Sequence, residues 1–336
     1  MNILNQLDDY TYYDNKNILI TGGTGTLGNI LTTFFLDKTN CNKICIYSRD
    51  EFKQHQMKLK LKNHKNYNRM RFFIGDIRDA DRTKYAIKDI NIVFHAAALK
   101  QVDAIEYNPM EAIKTNINGT ENVIMACIEN NIDKLVGIST DKCVSPANLY
   151  GATKLCLEKL IIHAYEYSAY KLKTCVVRYG NVIGSRGSVV PIFLDQKDSG
   201  IFTVTNSKMT RFTLTVNEAL NFVINSTLIS TGGEIFVPKL YKYDLPQLCS
   251  VINKDNLIKE IGIRPGEKLH EEMLSESESL KTWESTDFFI IEDNNGLNDE
   301  IINKYSLKKI TELFSYNSNN ATKISNIDLK IQIETI

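Results

Sequence analysis

The 336-residue chain predicts an α/β fold, a doubly wound parallel sheet with a smaller C-terminal cap. Three observations predict it. Short apolar runs alternate with stretches of helical period through the first half. The first run ends in a glycine-rich turn, Thr21–Gly28. After Asn181 the alternation loosens. The predicted strands are Asn17–Thr21, Lys43–Tyr47, Arg71–Ile74, Ile92–Ala96, Lys134–Ser139 and Thr174–Tyr179. Between them the spacing predicts helices over Leu27–Leu36, Asp50–Leu61, Asp81–Ile87, Pro109–Asn130 and Tyr150–Tyr167. Pro109 suits the first turn of its helix, where a missing N–H costs nothing. Asn217–Ile229 reads as a helix, Glu234–Val237 as a strand rejoining the sheet, and Ile261–Met273 as a turn followed by a helix. The expected organisation is a dinucleotide-binding domain over 1–182, rejoined by 215–238. A substrate cap takes 183–214 and 239–300, with Gly184–Ser188 a loop. A tail over 301–336 fits either an edge strand or no fixed structure.

Composition bounds the function. Hydrophobic residues make up 43% and charged residues 24%, with formal net charge zero, as in a globular protein with no field to attract nucleic acid. The Lys-rich stretch Lys53–Lys65 reads as a solvated helical face. No apolar run approaches the roughly 20 residues of a membrane span. The N-terminus has acidic residues and no apolar core, unlike a signal peptide. Seven cysteines without a CxxC spacing predict buried free thiols in a reducing, cytoplasmic setting. No His/Cys/Asp group has metal-ligand spacing, so no metal is expected, and His95 reads as a hydrogen-bonded core histidine.

The turn Gly22-x-x-Gly25-x-x-Gly28 sits between a strand and a helix. That context brings backbone N–H groups, including those of Thr24, Thr26 and Leu27, close to a pyrophosphate. At the tip of the second strand, Ser48 and Arg49 offer a hydroxyl and a guanidinium to a ribose 2′-phosphate, which favours NADP. Asp50, turned inward, would serve NAD instead. Asp76 and Ile77 follow the third strand and would meet the adenine. Ala96, Ala97 and Ala98 are small enough for a cofactor to cross the strand ends, and Lys100 follows at the sheet edge, within reach of substrate or phosphate.

The stretch Ser139–Lys154, STDKCVSPANLYGATK, carries the chemistry. Tyr150 and Lys154 are four apart and share a helix face. An ammonium there favours the phenolate of Tyr150. With the glycine turn upstream, this pair predicts hydride chemistry at an alcohol or sugar carbon. Asp141 and Lys142 can give and take protons, which predicts a second step, an elimination. Thr140 adjoins them.

From Asn17 to Ile291 the chain resembles the extended short-chain dehydrogenase/reductases, in particular the inverting UDP-N-acetylglucosamine 4,6-dehydratases of polysaccharide biosynthesis. The stretches that carry the resemblance include ILITGGTGTLG, HAAALK, STDK, NLYGATK, VVRYGNVIGSRGSVVP, MTRFTLT and IGIRPGEKLHE. The resemblance implies a Rossmann-type domain with a UDP-sugar cap. Bound NADP takes hydride from C4 and returns it to C6. Tyr150, helped by Lys154, takes the C4 hydroxyl proton. Lys142, neutral through desolvation and the nearby Lys154, removes the C5 proton, and Asp141 protonates the departing C6 hydroxyl. Asn116 and Tyr179 complete the cofactor site. Thr140, Asn181 and Val189 contact the sugar, while Arg211, Arg264 and Glu267 grip the UDP. Gln101 departs from the commoner pattern, which leaves the configuration at C5 open. A homo-oligomer is implied, built on helices such as Pro109–Asn130 and Tyr150–Tyr167. The competing readings are a retaining 4,6-dehydratase, a UDP-sugar 4-epimerase and, remotely, a non-catalytic dinucleotide-binding regulator.

Overall fold

Alternate residues of the apolar runs face opposite sides of one large sheet. The computed structural model describes residues 3–5, 9–184, 188–292 and 296–335. Its strands are β1 (Asn17–Thr21), β2 (Lys43–Ser48), β3 (Met70–Ile74), β4 (Ile92–His95), β5 (Lys134–Ile138), β6 (Lys173–Val177), β7 (Ile201–Val204), β8 (Thr210–Thr213), β9 (Glu234–Pro238), β10 (Tyr241–Asp244), β11 (Leu257–Glu260), β12 (Glu272–Leu274), β13 (Thr282–Glu284), β14 (Phe288–Ile291), β15 (Lys308–Lys309) and β16 (Tyr316–Asn317). The large sheet runs β3-β2-β1-β4-β5-β6-β9-β14-β13-β15. Neighbours from β3 to β9 are parallel, and β14 pairs antiparallel with β9. The order 3-2-1-4-5-6 is the Rossmann arrangement, whose ligand crevice lies beyond the C-terminal strand ends where the order reverses, between β1 and β4.

Both sheet faces are covered, which is why these strands read as continuous apolar runs. Leu19, Val93, Leu135 and Val176 pack beneath helices Ala80–Ile87, Gly119–Glu129 and Leu149–Tyr167. On the other face Ile18, Ile20, Phe94, Val136 and Val177 pack beneath helices Thr26–Lys38 and Val216–Ile229. Even Lys134, the first residue of β5, is buried. Its Nζ donates to the carbonyls of Thr227 (2.6 Å) and Ser230 (2.8 Å) at the end of the second of these helices.

The cap packs around a separate core of Val190, Phe193, Phe202, Met209 and Leu248. Several expectations need correction. The stretch Pro109–Asn130 is not one regular helix. Its α segments Pro109–Ala112 and Gly119–Glu129 flank a π-helical turn, Ile113–Asn118. Residues 239–300 do not all belong to the cap, because β13 and β14 extend the large sheet. The run Ile261–Met273 ends in strand β12 rather than a helix; β12 pairs with β16 from the tail, so a tertiary partner overrides the local pattern. The tail also ends in helix Asn326–Glu334. Leu329 and Ile333, four apart, face the cap core, while Ile327 and Ile331 face out; an apparent two-residue alternation hid a helical stripe. Six of the seven cysteines are buried and Cys156 is exposed. Within the loop Gly184–Ser188, residues 185–187 lie outside the described residues. No helix among the described residues is long and apolar enough to cross a membrane.

Candidate active site

A cavity of about 870 Å³ opens at the C-terminal ends of the central strands, between the sheet and the cap. Every expected site residue except Asn116 lines it. Asn116 is fully buried and acts on the backbone instead: its Oδ1 accepts from Leu99 N–H (2.8 Å), and its Nδ2 donates to Leu99 C=O (2.9 Å) and to Thr153 Oγ1 (3.0 Å). It therefore clamps the segment after β4 to the helix of Tyr150 and does not line the cavity. Thr115, its neighbour on the π-helical turn, reaches the cavity.

The glycine turn is built for close approach. Gly22 has φ +64°, and a Cβ there would sit 2.9 Å from Ala97 Cα. At Gly28 a Cβ would meet Gly23 O at 2.4 Å. Gly25 caps the 13-residue helix Thr26–Lys38, and Asn29 pins the turn by donating to the carbonyls of Thr24 (3.0 Å) and Gly25 (2.8 Å). Unobstructed N–H groups at the end of a long helix suit a diphosphate.

At the tip of β2, Asp50 is already engaged. It accepts from Lys53 N–H at 2.9 Å as the N-cap of helix Glu51–Leu61, and its other oxygen pairs with Lys53 Nζ at 2.7 Å. Ser48 accepts from Thr24 Oγ1 (3.3 Å), and Arg49 lies exposed on the rim, 3.5 Å from Asp76. Asp76 is held below the usual carboxylate range: burial raises it, and hydrogen bonds from Arg78 outweigh that. His95 is the core histidine expected from the sequence. It hydrogen-bonds Thr21 Oγ1 (2.8 Å) and Thr120 Oγ1 (3.0 Å), and burial, with help from Lys154, pushes it down to about 3.

The reactive cluster follows β5. Lys142 Nζ donates to Asp141 Oδ1 (3.0 Å) and Asn181 Oδ1 (3.2 Å), and lies 3.4 Å from Glu271 Oε1. Thr140 Oγ1 also donates to Asp141 Oδ1 (2.9 Å). Burial raises Asp141, and the Glu271 charge raises it further against the pull of Lys142. Lys142 departs from the expectation of a lowered ammonium. Burial pulls it down, but Asp141 and Glu271 overcome that and raise it. Lys154 takes the opposite course: buried, with Nζ donating to Ile138 C=O at 2.5 Å, it is lowered to about 8. Tyr150 also departs from expectation. Burial raises it to about 12, against the downward pull of Lys142 and Thr140. Lys154 donates instead to the Ile138 carbonyl at the end of β5.

Sequence reading missed Glu271, Gly151 and Asn148. Glu271 belongs to the segment expected to be helical. Asn148 caps helix Leu149–Tyr167 by accepting from Gly151 N–H (2.8 Å) and donates to Gly266 C=O across the cavity (2.8 Å). At Gly151 a Cβ would lie 2.0 Å from Lys142 O. The signal for Asn148 was present, since an Asx cap before a helical run is readable. On the cap side, Arg211 donates to the carbonyls of Thr210 (2.8 Å) and Leu269 (3.3 Å) and sits 3.7 Å from Glu271. Val189 opens a cap helix, Val189–Asp195, while Arg264 is exposed at the mouth beside Glu267.

A Rossmann sheet whose glycine turn faces a Tyr-x-x-x-Lys helix defines a protein of the short-chain dehydrogenase/reductase type. Residues 18–293 match the family model described as polysaccharide biosynthesis protein, and the chain belongs to that family. It is similar to the UDP-N-acetylglucosamine 4,6-dehydratase (inverting) of Campylobacter jejuni, 45% identical over 92% of this chain and 94% of that one. The UDP-glucose 4-epimerase of Rickettsia rickettsii is 39% identical over 96% of each chain. The X-ray structure of Pen from Bacillus thuringiensis is 38% identical and superposes with a TM-score of 0.87 over 97% of this chain and 99% of that one.

Proposed function

We propose that the chain is a nucleotide-sugar 4,6-dehydratase that acts on UDP-N-acetylglucosamine and inverts C5. The observation that carries this is the Asp141–Lys142 pair, hydrogen-bonded at 3.0 Å in the same cavity as Tyr150 and Lys154. A nicotinamide dinucleotide, held by the Gly22–Gly28 turn, supplies reversible hydride uptake from C4 and its delivery to C6. The exposed Arg49, with Asp50 engaged as a helix cap, supports NADP over NAD. Tyr150 accepts the C4 hydroxyl proton. Once C4 is a ketone the C5 proton is acidic, and Lys142, after passing a proton to Asp141 across their hydrogen bond, takes it. Asp141 then gives its proton to the departing C6 hydroxyl, and as C6 is reduced a proton from water enters C5 from the opposite face. Thr140, Asn181 and Val189 orient the sugar; Arg211, Arg264 and Glu267 hold the UDP.

The Rickettsia relative keeps a second reading, UDP-sugar 4-epimerase, in play. An epimerase needs Tyr150 and Lys154 but not the acid–base pair. Exposed Tyr107, Met110, Met125 and Tyr167 support association into a homo-oligomer through their helices, and seven free cysteines support a reducing, cytoplasmic setting. The test is proton NMR of the protein with UDP-N-acetylglucosamine in D₂O. A new C6 methyl signal with deuterium at C5 is expected, its ring couplings reporting C5, and Lys142→Ala should abolish it. UDP-N-acetylgalactosamine in its place, undiminished in Lys142→Ala, would establish the epimerase.

A further inference from the structure

Glu271 is a buried carboxylate of the cavity that the reaction above leaves without a task. It is 4% exposed, Oε1 faces Lys142 Nζ at 3.4 Å and Arg211 Nε at 3.7 Å, and Oε2 has no hydrogen-bond partner among the described residues. Lys142 thus sits between two buried carboxylates, Asp141 and Glu271. Arg211 is held mainly through Nη1, which donates to the carbonyls of Thr210 and Leu269, and its Nε lies farther from Glu271 than Lys142 Nζ does. The backbone of Glu271 is fixed by the tail: its N–H donates to Ser318 Oγ (2.9 Å), and Ser318 N–H donates back to its carbonyl (2.7 Å). That arrangement spends a rigid scaffold on placing one carboxylate against Lys142.

We propose that Glu271 is a positioning residue of the elimination, whose carboxylate holds the Lys142 ammonium and keeps the transferable proton within the Asp141–Lys142 pair. The reaction it serves is the dehydratase reading above. In the elimination the C5–H bond breaks, its proton goes to neutral Lys142, and its electron pair forms the C5–C6 double bond. The C6–O bond breaks, and the leaving hydroxide departs as water with the proton of Asp141. Lys142 ends as an ammonium and Asp141 as a carboxylate, so the pair holds one proton before and after. Proton passage from Lys142 back to Asp141 across 3.0 Å resets the pair.

Glu271 bears a lasting negative charge through this exchange. Burial opposes that charge, but Lys142, Arg211 and Lys268 outweigh the opposition and lower its pKa. The same charge raises both Asp141 and Lys142. The other ionisable groups facing the cluster are Tyr150 from its helix and Tyr243 from β10. Without the Glu271 charge, the pair loses its proton at lower pH.

The test is Glu271→Gln, which keeps shape and backbone bonds, with Glu271→Asp as the conservative variant. For wild type and both, the kcat–pH profile of C6 methyl formation is measured, together with an infrared titration of the protonated Asp141 carboxyl, its band assigned with Asp141→Asn. For a charge 3.4 Å away, the basic limb and the Asp141 titration of Glu271→Gln should move down by about one pH unit or more, with Glu271→Asp in between. Unshifted limbs and band, even with a lower maximum rate, would overturn the proposal and leave the dehydratase reading standing. If wild type forms no methyl product, that reading fails, and the infrared titration alone decides the role of Glu271.

Discussion

Helix Leu149–Tyr167 lies directly on the reactive loop, and Gly151→Ala tests how tightly. An added Cβ would stand 2.0 Å from Lys142 O, where ordinary contact begins at 3.4 Å, so the loop or the helix must yield about 1.4 Å. Pro146 Cβ, 3.1 Å away on the same side, closes one route of escape. Two terms oppose each other in stability. Alanine gains about 1 kcal/mol of helix propensity over glycine, and overpacking costs about 1–3 kcal/mol. The net is a small loss of about 0–2 kcal/mol. Catalysis is far more sensitive, because a misplacement of about 1 Å costs on the order of 10²-fold in rate. Expected, then, is a protein that folds with near-normal urea stability and loses about two orders of magnitude in kcat for methyl formation. Wild-type kcat in Gly151→Ala would refute the close packing of helix on loop.

Other perturbations follow from the same contacts. Arg178 is fully buried, bonded to Glu158 (2.6 Å), Glu278 (2.9 Å) and Met273 C=O (2.8 Å). Arg178→Met strands two carboxylates and should cost about 3–5 kcal/mol in urea unfolding. Although burial raises Glu278, Arg178 brings it from 4.5 down to about 2. Since the folded value is the depressed one, this stability is present above pH 4.5 and lost as pH falls towards 2. About 3 kcal/mol should vanish across that window in wild type and little in Arg178→Met, a difference that matched stability–pH slopes would rule out. Asn116→Ala frees both polar groups of Leu99 and should destabilise by about 1–3 kcal/mol, measured by thermal unfolding. Truncation before Asn326 uncovers the cap residues against which Leu329 packs. It should raise KM for the UDP-sugar more than it lowers kcat; an unchanged KM would remove the tail helix from the cap's support.

The sheet was legible because its strands are buried on both faces, and each apolar run ends in small or turn-forming residues at the ligand edge. Of the site, the local pieces were readable. The glycine turn, Asp141-Lys142 and Tyr150/Lys154 each lie within one short stretch, where spacing alone implies proximity. Ionisation was not readable. Lys142 is raised rather than lowered because a carboxylate 129 positions away sits 3.4 Å from its Nζ. Tyr150 is raised because the fold buries it, while Lys154 Nζ turns to a β5 carbonyl.

By itself, then, the sequence determined the alternation of strands and helices in the first half, the cofactor turn and the local acid–base pair, since periodicity and short spacing act along the chain. Only the tertiary structure decided that Ile261–Met273 ends in a strand with Glu271 just before it, that a π-helical turn aims Asn116 at Leu99, and that the tail buttresses the cap. Each of these depends on a partner far away in sequence. Burial free energy and Coulomb energy act through space, and a pattern read along one dimension carries neither.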